Sequence, residues 1–145
     1  MGSAQHTREQ AGAQYLSGTF MSAPVVIRNA EDRDETAIWH ILEPIIREGS
    51  TYTLPADMTE ADAIRYWRSP GHEVFVAEAS GEIVGTYYLR PNQSGGGSHV
   101  ANCGYMTALW ARGRGIARTM GTHSLEHAKG RGYRAMQFNF VVSTN

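Results

Sequence analysis

Little in this chain marks it for a nucleic acid, a membrane or an oxidising compartment. Its 13 Lys and Arg are balanced by 14 Asp and Glu, for a formal net charge of −1, whereas proteins that grip a phosphate backbone carry a marked basic excess. A general nucleic-acid binder is therefore not expected. No apolar run approaches the roughly 20 residues that span a bilayer, and the N-terminal stretch lacks the apolar region of a secretory signal. No membrane association is expected. The single cysteine, Cys103, cannot form an intrachain disulfide, so a cytoplasmic location is the expectation. Cys103 itself reads as a small buried hydrophobe within a strand rather than as a nucleophile. Two catalytic signatures are missing as well. There is no Gly-x-Ser-x-Gly elbow, and His123 and His127, four apart, have neither an HExxH arrangement nor an identifiable third ligand, so no metal site is expected.

What is present fits one globular domain: 145 residues, 41% hydrophobic and 19% charged. Residues 1–22 are polar and without periodicity and read as a disordered leader or extension, leaving 23–145 as the domain. Val25 to Arg28 reads as a first strand, and Asp32-x-x-Glu35 as a capping box for the helix after it. In that helix Ile38, Ile41, Leu42, Ile45 and Ile46 recur at helical spacing, so they form a core stripe. Pro44 lies inside the stripe and predicts a kink or a split. Thr59-x-x-Asp62 caps a short second helix carrying Ile64 and Trp67, stopped by Ser69-Pro70-Gly71. Residues 74–78 and 83–90 form a hairpin around Ser80-Gly81, 100–109 a fourth strand, 115–129 the main helix and 135–142 a last strand.

The stretch from Thr107 to Arg118, Thr-Ala-Leu-Trp-Ala-Arg-Gly-Arg-Gly-Ile-Ala-Arg, takes an apolar strand into a glycine-rich turn that opens the main helix. Gly113 and Gly115 remove Cβ atoms that would block close approach, and the first N–H groups of the helix point outward without partners. With the positive end of the helix dipole and the guanidinium groups of Arg112 and Arg114, this junction favours a pyrophosphate. No Lys-Ser or Lys-Thr follows, which excludes a Walker A loop. A dinucleotide fingerprint wants a small residue where Arg118 stands and a larger array of strands after it.

Arg112-Gly113-Arg114-Gly115-Ile116-Ala117 meets the pattern Arg/Gln-x-x-Gly-x-Gly/Ala and resembles the coenzyme A pyrophosphate loop of the GNAT superfamily of N-acetyltransferases. Around it, residues 82–88 resemble the family's third strand, 102–107 its fourth, 130–138 its glycine turn and fifth strand, and 142–145 the start of the next motif. The resemblance covers residues 25–145 or thereabouts. It implies an α/β fold, a mixed-sheet sandwich in the order β-α-α-β-β-β-α-β, in which the family's last helix and strands have no counterpart.

The resemblance also implies a reaction, the transfer of an acetyl group from acetyl-CoA to a primary amine of a small molecule by direct attack. Met106, Thr107, Arg112, Gly113, Arg114, Gly115, Ile116, Ala117 and Asn145 are the implied coenzyme contacts. A bulge near Met106 and Thr107 would free an N–H for the thioester carbonyl and give this pair a catalytic role. A lysine-like amine, with a pKa of about 10.4, arrives protonated and needs a base. Glu48 and Tyr52, in the loop after the first helix, are the candidates that would also line the acceptor site, with Glu78 and His99 as further ones. The family's thiolate-protonating tyrosine has no counterpart, so the alternative is a coenzyme A or acyl-CoA binding module with impaired catalysis. Met136, Phe138 and Phe140 give the last strand an apolar face, from which a homodimer through that strand, aggregation, or a longer natural chain that covers it is expected.

Overall fold

A computed structural model describes residues 24–49, 54–92 and 99–141, and for residues 139–141 the backbone alone. The elements are β1 (Val25–Asn29), α1 (Glu35–Glu48), α2 (Glu60–Trp67), β2 (Glu73–Ala79), β3 (Glu82–Pro91), β4 (Val100–Thr107), α3 (Ile116–Gly130) and β5 (Ala135–Val141), with short 3-10 turns at Asp32–Asp34 and Leu109–Ala111. The order is the expected one. The strands form one sheet in the order β1-β2-β3-β4-β5. The first three pairings are antiparallel and the last, β4 with β5, is parallel. A parallel pair needs a crossover, and α3 supplies it.

Side chains on the strands alternate between two covered faces. Gly85, Tyr87 and Tyr105 face α3, with the Tyr105 hydroxyl 2.5 Å from Ser124 Oγ. Thr86 and Tyr88 face the other way, where the Trp67 indole donates to Thr86 Oγ1 at 3.0 Å and packs edge-on against Tyr88. Trp67, Tyr87 and Tyr88 are fully buried between these layers. The β2–β3 hairpin closes through Ser80 (φ 53°) and Gly81 (φ 79°). Two left-handed residues in succession are the hairpin turn whose twist matches the strands, which is why Ser80-Gly81 marked it.

Four expectations need correction. Helix α1 runs through Pro44 as one helix, so the split does not occur. Each stripe side chain is worth about 1.5–3 kcal/mol when buried, so two of them offset the roughly 3 kcal/mol cost of an interior proline. All five are buried, and the carbonyl that Pro44 leaves unpaired belongs to exposed His40. The capping acid at the entry to α1 is Asp34 rather than Asp32 or Glu35. It accepts the Glu31 N–H at 2.8 Å and is clamped by both terminal nitrogens of Arg28 at 2.8 and 2.9 Å, while Asp32 sits at the surface on Arg68. The fourth strand stops at Thr107, because Ala108 donates a last sheet bond to Val84 and then accepts from Ala111 in the 3-10 turn. Glu48 belongs to the end of α1 rather than to the following loop. Among the described residues no helix is long and apolar enough to cross a membrane.

Candidate active site

Gly85 fixes where α3 begins. A Cβ there would meet Ile116 Cγ2 and the Met120 Cε and Sδ at 3.0 Å each, so the absent side chain lets the first turns of the helix lie directly on β3. Ile116 and Met120 are buried as a result. The turn before them then has to bend sharply, and it does so at Gly113 (φ 81°) and Gly115 (φ 75°), a backbone region that favours glycine. At neither position would a Cβ find an atom within 4 Å. The conformation demands glycine there, and the space beside it is open.

Gly115 is the N-cap of α3, no side chain caps that terminus, and its first turn carries no acid. Thr119 takes the Gly115 carbonyl with both its N–H and its hydroxyl at 3.0 Å. Helix geometry therefore leaves the N–H groups of Ile116, Ala117 and Arg118 without intrahelical acceptors. Arg112, Arg114 and Arg118 are exposed around this start, and among the described residues none is in an ion pair. Outward donors, helix dipole and three guanidinium groups converge on one spot, the electrostatics of an anion site.

Met106 and Thr107 are both buried where β4 leads toward the turn. Val84 accepts from Ala108 N and Val100 from Asn92 N, so even-numbered residues of β4 bond to β3, and Tyr105 and Thr107 direct their backbone toward β5. The last described pair across that side is Tyr105 with Val141, one step short of Thr107. On the β3 side no bulge interrupts residues 106–107. Pairing with β3 is regular through Thr107, and the irregularity lies between Cys103 and Gly104, opposite Phe138 and Phe140, with Asn139 as the extra residue of β5.

The expected bases are scattered. Glu48 is exposed at the end of α1. Tyr52 and Asn145 lie outside the described residues. Glu78 is held by Arg28 Nε at 2.9 Å, and exposed His99 contributes its carbonyl to Arg134. Cys103 is fully buried, and burial pushes its thiol up to about 11, so it is a packed thiol without nucleophilic character. His123 and His127 serve packing. The Tyr87 hydroxyl is 2.7 Å from His123 Nδ1, and His127 Nε2 is 3.0 Å from both oxygens of Glu73. Among the described residues no three candidate ligands come together around a metal-sized gap.

Sequence reading missed His72 and Arg68. The His72 ring stacks on Tyr88 at 4.2 Å and 12°, and its Nδ1 is 2.9 Å from the Trp67 carbonyl. A ring nitrogen facing a carbonyl must carry the proton, so Nε2 keeps its lone pair. Burial, the main cause, holds this imidazole below its ordinary pKa. His72 also lines an open depression of about 500 Å³ with Asn29, Asp32, Glu35 and Arg68, at the opposite end of the sheet from the turn. No local pattern marked them, because the depression joins the ends of β1 and α2 to the starts of α1 and β2.

A mixed sheet whose parallel pair is joined by a helix with a bare, arginine-flanked start defines an α/β domain with an electropositive helix terminus beside its sheet. The model of the acetyltransferase (GNAT) family matches residues 35–145, and the chain belongs to that family. The N-acetyltransferase aca1 of Schizosaccharomyces pombe is 24% identical over 135 residues, 81% of this chain, and the chain spans 65% of that relative's length. A GCN5-related N-acetyltransferase from Kribbella flavida is 34% identical with a TM-score of 0.73, over 79% of this chain and 71% of that one. A phosphinothricin acetyltransferase from Sinorhizobium meliloti, solved with acetyl-CoA, shares the fold at 18% identity and a TM-score of 0.67, over 79% of this chain and 64% of that one.

Proposed function

We propose that this domain binds acetyl-CoA at the 112–117 turn and transfers its acetyl group to a primary amine of a small molecule. The observation that carries this reading is the bare start of α3, where free N–H groups and Arg112, Arg114 and Arg118 surround open space beside Gly113 and Gly115. Acetyl-CoA in the Sinorhizobium meliloti fold relative supports the choice of ligand. The co-substrate supplies an activated thioester. In this reading the turn holds its pyrophosphate, and the β5-facing backbone of Thr107, beside Met106, steadies the thioester end. The amine nitrogen attacks the carbonyl carbon, the C–S bond breaks, the nitrogen gives up a proton and the departing sulfur takes one.

Glu48, at the end of α1, and Tyr52 after it are proposed to border the amine. Release of free thiol from acetyl-CoA, measured across a panel of small amines, tests the reaction. Turnover with at least one amine is expected, and Glu48→Gln with Tyr52→Phe should lower kcat/KM for it about tenfold, the size of one lost charge-assisted contact. No thiol release with any amine would contradict the transfer. Unchanged kcat/KM in the double variant would remove this loop from the acceptor site.

A further inference from the structure

The depression at the far end of the sheet from the turn has no part in the transfer proposed above. Its volume of about 500 Å³ lies within the range of small-molecule sites, about 300–1,000 Å³. Along β3, Gly85 lies against Ile116 at the start of α3, while Leu89, four residues on, pairs with Glu73 beside His72. At about 3.3 Å per residue the depression is roughly 13 Å from the anion site along the sheet alone. Its polar lining is only half matched. One terminal nitrogen of Arg68 donates both to Asp32 Oδ1 at 2.9 Å and to Glu35 Oε2 at 2.7 Å. Among the described residues the other two nitrogens of that partly buried guanidinium make no hydrogen bond, and neither do Asp32 Oδ2 and Glu35 Oε1. Two carboxylates on one cation leave a negative charge over. His72 adds an acceptor, because Nδ1 is taken by the Trp67 carbonyl and the ring is stacked on Tyr88, so Nε2 keeps a lone pair with no partner among the described residues. Beside these groups Ile64, Pro70 and Val74 form an apolar wall.

We propose that this depression is a second binding site, for a free α-amino acid with an apolar side chain. A simple cation would leave the spare guanidinium donors of Arg68 idle, and a simple anion would meet the surplus carboxylate. A zwitterion answers both. Its ammonium donates to the free oxygens of Asp32 and Glu35 and to His72 Nε2. Its carboxylate takes the remaining edge of the Arg68 guanidinium, Nε with the second terminal nitrogen, the fork geometry that suits a carboxylate. The side chain lies on Ile64, Pro70 and Val74. With its ammonium engaged in this way the molecule is held rather than acetylated. It ties the start of α1 to the end of α2 and the entry to β2, so the bound form is the more stable one.

The test titrates the protein calorimetrically with leucine, with leucinamide, which lacks the carboxylate, and with 4-methylpentanoate, which lacks the ammonium. Coenzyme A affinity, melting temperature and thiol release from acetyl-CoA are measured in parallel. Leucine is expected to bind at least tenfold more tightly than either analogue and to raise the melting temperature. Arg68→Gln should erase the preference for leucine over leucinamide, Glu35→Gln should weaken leucine about tenfold, and neither should alter coenzyme A affinity. No binding of leucine, equal binding of the three compounds, or a preference that survives in Arg68→Gln overturns the proposal. Thiol release driven by leucine would put it in the transfer site and overturn it as well. Should Arg68→Gln fail to fold, the wild-type comparison and Glu35→Gln still decide. Loss of the acetyltransferase reading would show separately, as absent coenzyme A binding with leucine binding intact.

Discussion

At the scale of single residues, two partly buried histidines set the acid limit of the fold. His72 and His123 are both held below the ordinary value of 6.5, chiefly by burial, and His127 stacked 6.0 Å from His123 adds repulsion there. Between 6.5 and the lower folded values the unfolded chain binds more protons than the native one. Stability is therefore fully present above about pH 6.5 and falls as the pH drops through that window. Asp34 and Glu73, lowered from 3.8 and 4.5, act in the same direction at more acid pH. The melting temperature is predicted to fall between pH 7 and 5, and His123→Gln to reduce that slope; a flat profile in the wild type would contradict this. Cys103 offers a second check, because a buried thiol raised to about 11 should resist alkylation at pH 8 until the protein unfolds.

The residues of the turn were legible in the sequence because glycine in a strand-to-helix junction has few other uses, and both glycines have positive φ. His72 and Arg68 were not. What makes them notable is a depression shared by segments far apart in the chain, which no local pattern encodes.

At the scale of elements, Gly85 couples the sheet to the site. A methyl group there would press on Ile116 and Met120 at 3.0 Å, and overpacking of this kind costs about 1–3 kcal/mol. Gly85→Ala is predicted to lower the denaturant midpoint accordingly and to weaken coenzyme A binding, since the start of α3 must shift. Full stability and full affinity together would show that the helix is not seated this way. The amphipathic stripe of α1 and the Thr59 cap, whose hydroxyl accepts from Asp62 N at 3.1 Å, were readable from spacing. The continuity of α1 through Pro44 was not, because proline's local penalty is visible in sequence while the burial that outweighs it is tertiary. The early end of β4 escaped for a related reason, Leu109 being as apolar as the strand before it.

At the scale of the whole molecule, β1 and β5 are the outer strands of the sheet among the described residues, and Phe138 on β5 stays half-exposed with its ring 5.6 Å from Tyr105. An edge strand with apolar side chains invites pairing with another copy. We expect the 145-residue polypeptide to self-associate through β5 and Phe138→Lys to suppress this in light scattering; a wild type monomeric at every concentration would contradict it. The order of elements was legible as a whole, since each strand and helix carried its own periodicity and the glycine turn fixed their frame.

The account turns on the anion site at the start of α3. Calorimetric titration with coenzyme A compares the wild type with Gly115→Asp, which puts a strained, negatively charged residue at the N-cap. Charge-assisted contacts are worth about 1.5–3 kcal/mol each, so the variant should bind at least tenfold more weakly. Equal affinity in the two proteins, or no binding by the wild type, would contradict the assignment.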